Sequence, residues 1–435
     1  MNRKFPHVNV VILGAGFAGV YAYLRVLKEY KNDKRVRITL INNKDEFVFI
    51  PLIHEVATGL LSPAGVTQPI RTLPTASNVR FLEADIETLD LDRKEVKVTY
   101  PNYSKDHKKD ASELERETIL YDFLVLALGS ETNYYDVPGA RENTLPIKNL
   151  DDTKKIKNHL IERFEEAEML TSENEIRRAL RFIIVGGGPT GVEMAGEIAD
   201  LVVSELALAF PRVSGMASIV IIQGAPRLVP QMDQWFSRKV EKILYKKTRT
   251  RILLNARVTK VEPGKVFVGN ESIITDTIIW TAGVKAKYLD IASVHPVEFE
   301  KKTGRIKVTS FLELPYYNGV FVIGDQAWVH EKDGQAYPMR AQFAVREGIV
   351  AAENIVRSLQ GLSLKEFHFQ DLGFILSIGK GGALAKIMGV RFSGPIAWLI
   401  YRAAYLTKVV GVRAKMNTLL DWTLNLFAPR DISKF

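Results

Sequence analysis

Three observations predict an α/β fold built on two doubly wound, Rossmann-like sheets in this chain of 435 residues. The run "VNVVILGAGFAGVYAYLRVL", from Val8 to Leu27, passes from an apolar strand pattern through glycines into a helical one. The run "RFIIVGGGPTGVEMAGEIAD", from Arg181 to Asp200, repeats that layout. A strand ending in glycine returns late, as "GVFVIGDQ", and the chain closes on a basic, amphipathic stretch. The expected arrangement is a first dinucleotide-binding domain split in sequence, a second one inserted into it, and an amphipathic helical C-terminal segment. The expected limits are 1–150 and 285–375 for the split domain, 151–284 for the insert and 376–435 for the C-terminal segment.

Taken in order, Val8 to Asn42 reads as strand, glycine turn, helix and strand ("VRITLIN"), a complete βαβ unit. The loop-rich "KDEFVFIPLIHEVATGLLSPAGV" follows, and then "VRFLEADIETLDLDRKEVKVTY", whose alternation predicts a meander. The charge-dense segment 101–118 reads as a solvated hairpin tip. "LYDFLVLALGS" is a buried strand ending in Gly129 and Ser130, and 151–180 is helical. The second βαβ unit continues through the strand "SIVIIQG" and a helix around "WFSRKVEKILYKK" to the strand "TDTIIWTAGV". After Val284 the chain returns to the first domain.

Composition narrows the chemistry. With 46% hydrophobic residues the chain can bury two or three cores. A net charge of +9 favours an anionic partner without choosing between lipid and nucleic acid. The absence of cysteine excludes disulfide exchange, thiolate metal sites and iron–sulfur ligation, and no metal site is expected. The first residues lack the apolar core of a signal peptide, and no run of about 18 apolar residues occurs, so no transmembrane helix is expected.

Gly14, Gly16 and Gly19 form one GxGxxG; Gly186, Gly188 and Gly191 form the other. The first glycine permits the tight turn, the second admits a pyrophosphate, and the third lets helix pack on strand. Phosphates then sit at the helix N-terminus, in the second unit at Pro189 and Thr190. The acidic residue that would take a ribose hydroxyl about 20 positions on is replaced by Asn42 in one unit and Gln223 in the other. An amide at Gln223 does not repel a 2′-phosphate, so NADPH is expected to be excluded less than usual; alternatively Gln223 only caps its strand. Two such sites fit FAD held in the first and NADH or NADPH visiting the second. Gly324 allows close approach, and Asp325 can accept bonds from ribityl or ribose hydroxyls.

Carried by "GAGFAG", "LALGS", "GGGPTGVEMAGEIADL", "WTAGV", "VIGD" and "AQFAVREG" in this order, the chain resembles the type II NADH:quinone oxidoreductases, flavoproteins with two dinucleotide-binding domains. The resemblance implies FAD-dependent oxidation of NAD(P)H and two-electron reduction of a membrane quinone without proton pumping. It implies catalytic roles for Glu193, near the nicotinamide and flavin, and Gln342, beside the flavin at the quinone end. Phe17, Gly129 and Ala341 would join the FAD contacts, and Ala282 and Gly283 would line the nicotinamide pocket. Where the family has a second glutamine, this chain has Arg346, a departure that bears on how quinone is held. His54, followed by Glu55, falls where the family chain passes the flavin, and the pair could move protons to reduced quinone; the competing reading is a histidine satisfied within its loop.

The C-terminal segment reads as two helices. In the second, Met416, Leu419, Leu420, Thr423, Leu424 and Phe427 share a face beside Trp422, and the last 45 residues carry +5 of the chain's +9. These features predict a helix lying on an anionic lipid surface, which places the protein peripherally on the cytoplasmic face of a membrane; homodimer formation through the same helix competes with that. The alternatives are a soluble NAD(P)H:ferredoxin or rubredoxin-type reductase, and a flavoprotein binding nucleic acid through its tail. The tail is too apolar for the latter, so no nucleic-acid partner is expected.

Overall fold

The computed structural model describes residues 7–101, 115–248, 250–330, 336–370 and 373–434. Contacts divide the chain into two units: unit 1 comprises Met1–Phe47, Gln68–Glu131 and Val284–Gln370, and unit 2 comprises Val48–Thr67, Thr132–Gly283 and Asp371–Phe435.

Unit 1 is organised by a five-stranded parallel sheet in the order Val320–Val322, Phe123–Leu126, Val8–Leu13, Val36–Asn42, Val79–Glu83. Its central strands are apolar on both faces, as a sheet covered on both sides requires. The helix Phe17–Tyr30 leaves the first glycine turn and packs on the helix Ala341–Leu359. That approach is close: a Cβ on Gly348 would run into the Ala18 carbonyl. Val79–Glu83 pairs parallel with Val36–Asn42, so it leaves the expected meander and joins the main sheet. The alternation of "VRFLE" is that of a half-buried edge strand, which pattern alone cannot distinguish from a meander strand. Asp85–Asp90, Glu95–Thr99 and Arg116–Leu120 form the antiparallel remainder. Most of the segment read as a hairpin tip, 102–114, lies outside the described residues; Arg116 to Thr118 belong to the strand that follows it.

Unit 2 repeats the plan. Its parallel sheet runs Leu145–Pro146, Thr277–Trp280, Arg181–Val185, Ser218–Ile222, Arg251–Leu253, and the helix Pro189–Leu201 leaves its glycine turn. This helix is buried on nearly every side, in a core that also holds Phe164, Phe182 and Phe236. Three antiparallel strands, Gly373–Ser377, Ala383–Ile387 and Val390–Ser393, precede the C-terminal helices Pro395–Lys408 and Val412–Phe427. The sequence pattern finds the two helices and passes over these strands, so the segment from 376 onward is not all helical. A Cβ at Gly196 would sit 2.7 Å from the Ile378 carbonyl carbon, which is how closely these strands approach the nucleotide helix.

Candidate functional site

In unit 1 the first glycine turn is formed by backbone. Gly14 adopts φ +98°, a conformation that disfavours any side chain, and its N–H donates to the Ile41 carbonyl at 2.7 Å. A Cβ there would strike Ala127, whereas a Cβ on Gly16 would meet no heavy atom within 4 Å. The second glycine therefore faces open space at a helix N-terminus, which is the vacancy a pyrophosphate needs. Phe17 opens the helix and stacks edge-on against Phe47, at 5.1 Å between centroids. Asn42 accepts from Ala15 N at 2.9 Å and donates to the Lys44 carbonyl at 2.8 Å, so its amide braces the turn.

Adjacent parallel strands deliver Gly129 and Gly324 to the same edge of the sheet. There the Ser130 hydroxyl bonds the Asp325 carboxylate, and Gln326 Nε2 donates to the Gly129 and Lys287 carbonyls at 2.7 and 2.9 Å. Gly324 N in turn donates to Glu347 Oε2 at 2.6 Å. Burial and the neighbouring Asp325 charge push the Glu347 carboxyl up to about 8, against the partial relief of that bond and of Arg305. Ala341 and Gln342 open the same long helix, half-buried. Arg346, one turn on, lies over the Phe369 ring at 4.6 Å and donates to the Gln370 carbonyl at 3.1 Å. Phe369 stacks on Phe343 at 3.9 Å, so the arginine is held by an aromatic platform.

Unit 2 builds the second turn in the same way. Gly186 has φ +109° and a Cβ on it would sit 2.6 Å from Ala282 Cα; Gly188 is open except for Gln231, 3.9 Å away. Thr281 donates to the Gly186 carbonyl at 2.9 Å, and Tyr135 donates to the Ala282 carbonyl at 3.2 Å beside Gly283. Pro189 and Thr190 form the first helical turn, and Gly191 lets it pack against the Gly186 carbonyl. Gln223 is buried, accepts from Gly187 N at 2.9 Å and donates to the Arg227 carbonyl at 3.3 Å. It braces the turn as Asn42 does in unit 1.

Among the described residues, most of the buried ionisable side chains lie in unit 2. Glu193 and Glu197 sit one turn apart on the helix Pro189–Leu201 and so share a face. His54 Nδ1 is 3.9 Å from Glu193 Oε2, and the Tyr401 hydroxyl is 3.5 Å from His54 Nε2. The two oxygens of Glu55 accept from Tyr401 at 3.1 Å and from Trp422 Nε1 at 2.7 Å. Arg430 donates to Glu197 Oε2 at 2.7 Å and to Thr58 at 3.2 Å, with Asp200 and Glu205 at 3.9 and 3.8 Å. Burial pushes the Glu193 carboxyl well above the usual range, and the charges of Glu55 and Glu197 add to this. Burial at this position therefore favours the protonated carboxyl of Glu193 over its anion. Burial and the Glu197 charge push Glu55 up to about 7, while burial and Arg430 push His54 down to about 3. His54 is neutral at neutral pH, an acceptor or donor without charge.

The sequence singles out Glu193, His54 and Glu55 for this site, and Trp422 only as part of the tail; it does not mark Glu197, Tyr401 or Arg430. The spacing of Glu193 and Glu197 was the available signal. One tail reading changes: Trp422 is buried, 3% exposed, and does not face a lipid surface; Arg430, one of the tail's basic residues, is buried in an ion pair. Arg402 stacks on Trp398 at 3.8 Å. The apolar face of the second helix is exposed as expected, with Met416, Leu420, Leu424 and Phe427 open. Among the described residues no helix is long and apolar enough to cross a membrane, and no cluster could hold a metal ion.

The profile of the pyridine nucleotide-disulphide oxidoreductase family matches residues 8–348. A type II NADH:quinone oxidoreductase of Mycobacterium tuberculosis is 32% identical, over 97% of this chain and 89% of its own. The enzyme of that name from Staphylococcus saprophyticus is 26% identical over 93% of this chain and 94% of its own. The solved structure of NDH2 from Plasmodium falciparum in complex with NADH superposes with a TM-score of 0.88 at 19% identity, covering 98% of this chain and all of that one, a likeness of fold.

Proposed function

This chain belongs to the type II NADH:quinone oxidoreductases, within the pyridine nucleotide-disulphide oxidoreductases, and on that premise we propose that it oxidises NADH and reduces a quinone with FAD as its resident cofactor. The observation that carries the reading is the pair of like-built glycine turns, each with open space over its second glycine. The disulfide chemistry in the broader family's name is closed to a chain without cysteine.

Gly14, Gly16, Phe17, Gly19, Asn42, Gly129, Gly324, Asp325 and Ala341 would hold FAD, the backbone N–H groups at Gly16 and Phe17 facing its phosphates. Gly186, Gly188, Pro189, Thr190, Gly191, Gln223, Ala282 and Gly283 would hold the nicotinamide nucleotide. Bound FAD supplies a two-electron acceptor for hydride and a donor to quinone. The net reaction, NADH + H⁺ + quinone → NAD⁺ + quinol, takes up one proton. Glu193, whose burial favours the protonated carboxyl, lies beside neutral His54 and is placed to hold a proton. Gln342 presents an amide to the quinone, and Arg346 narrows the region with its guanidinium fixed on Phe369. The exposed apolar face of Val412–Phe427, with Lys408, Arg413 and Lys415 beside it, rests on an anionic lipid surface without crossing it.

Purified protein loaded with FAD is expected to oxidise NADH with a short-chain quinone. Glu193→Gln should slow quinol formation while leaving the flavin absorbance of the loaded protein intact. Flavin that NADH bleaches but quinone does not reoxidise would defeat the quinone reading.

A further inference from the structure

The end of the strand Ser218–Ile222 carries a feature that the NADH reading does not use. From Gln223 to Gln231 no residue has a carboxylate, and Asp233 beyond them is bonded to Lys386 and Arg391 at 2.8 and 3.2 Å. Gln223, buried and satisfied at both ends of its amide, presents no charge outward. Gly224 has no side chain, and the space a Cβ would point into is filled by Arg257: its Cγ and Nε lie 3.4 and 3.6 Å from that point.

Arg257 is brought there by backbone. The chain leaving Arg251–Leu253 turns through Asn255 at φ +51°, Asn255 N donates to the Ala225 carbonyl at 3.1 Å, and Ala256 N donates to the Gln223 carbonyl at 3.0 Å. These bonds fix the next residue over Gly224. The Arg257 side chain is exposed and shows no ion pair among the described residues. Arg227, also nearby in sequence, is spent differently: its guanidinium donates to the Met232 carbonyl at 2.7 Å and to Ser237 at 2.9 Å.

In a doubly wound sheet this strand end receives the adenosine ribose, where a carboxylate favours a free 2′-hydroxyl and an arginine favours a 2′-phosphate. Resting on the nucleotide assignment above, we infer that Arg257 is a specificity-determining residue that pairs with the 2′-phosphate of NADPH, so that the chain accepts NADPH alongside NADH. A guanidinium suits this role because it offers paired N–H donors to phosphate oxygens and keeps its charge at every working pH.

The test compares 2′,5′-ADP with 5′-AMP by titration calorimetry on FAD-loaded protein, and NADPH with NADH in turnover. The wild type should bind 2′,5′-ADP more tightly than 5′-AMP. Arg257→Ala should remove that difference and lower the NADPH-to-NADH ratio of kcat/KM roughly ten- to hundredfold, as expected for a lost charge-assisted bond; Arg257→Lys should restore part of it. Equal binding of the two probes by the wild type, or a ratio unmoved by Arg257→Ala, overturns the inference. Loss of both nucleotides alike would show that Arg257 shapes the turn and does not read the phosphate. If 2′,5′-ADP binds through Arg257 but no quinone is reduced with either nucleotide, it is the proposed function that fails.

Discussion

Replacing Arg430 by Met should destabilise unit 2 by several kilocalories per mole. The Arg430 and Glu197 side chains are 2% and 1% exposed and meet at 2.7 Å, so neither charge has water to fall back on. Asp200 and Glu205 face the same guanidinium at 3.9 and 3.8 Å. Removing one partner of a buried pair costs about 3–5 kcal/mol, because the other is left uncompensated. For a folded unit of about 240 residues that is a fall of about 6–20 °C in its melting temperature. The assay is calorimetry of FAD-loaded protein, with the unit 2 transition identified by its response to added NAD⁺. The double variant Arg430→Met with Glu197→Leu removes both charges and should recover most of the loss. A single variant that melts with the wild type, or a double variant no better than the single, would refute the reasoning.

The remaining expectations concern both units. In the unfolded chain Glu347 ionises near 4.5, whereas burial keeps its proton to about 8 in the fold. The folded chain therefore binds the extra proton between those values, and stability falls as pH rises from 4.5 to 8, by about 5 kcal/mol in all. Glu347→Gln should flatten that dependence in urea unfolding, and parallel wild-type and variant curves would sink the claim. Gly16→Val should leave folding intact, since φ is −78° and a Cβ finds open space, but should abolish FAD retention measured by absorbance. Gly14→Ala, forced to φ +98° and into Ala127, should instead destabilise the apoprotein by about 1–3 kcal/mol or more in chemical denaturation. Leu420→Glu with Leu424→Glu should end flotation with anionic vesicles without altering NADH oxidation by a water-soluble acceptor; unaltered flotation would remove the lipid reading.

What could be read from the sequence was what local pattern encodes. Both glycine turns, their flanking strands and helices, and the exposed face of the last helix follow from residue types a few positions apart. The alternation of Val79–Glu83 fits either sheet, so pattern does not place this edge strand, and the strands within Gly373–Ser393 are too short and glycine-broken to stand out. The buried cluster was legible only in part. Glu193 and Glu197 are neighbours on one helix, but their partners come from the helix Ile53–Val56 and from residues beyond 400, a proximity no spacing rule reveals. A tryptophan or an arginine in an amphipathic tail suits a lipid interface as well as a core, so pattern does not reveal that Trp422 and Arg430 are buried.

The bond between Thr58 and Arg430 joins residues 372 positions apart, and Tyr401 and Trp422 reach Glu55 over nearly as long a span. Closing such loops is entropically slow, and their contacts reward folding only after almost everything between them has formed. During synthesis the unit 2 parallel sheet, made from Leu145 to Trp280, can assemble early, while Glu193 and Glu197 wait in water. Their withdrawal from solvent is then a late event, completed when the tail arrives with its tyrosine, tryptophan and arginine. Refolding should accordingly proceed in two steps, a fast one that builds the sheet and a slow one that buries Glu193 and closes the Arg430–Glu197 pair, with proton uptake at Glu193.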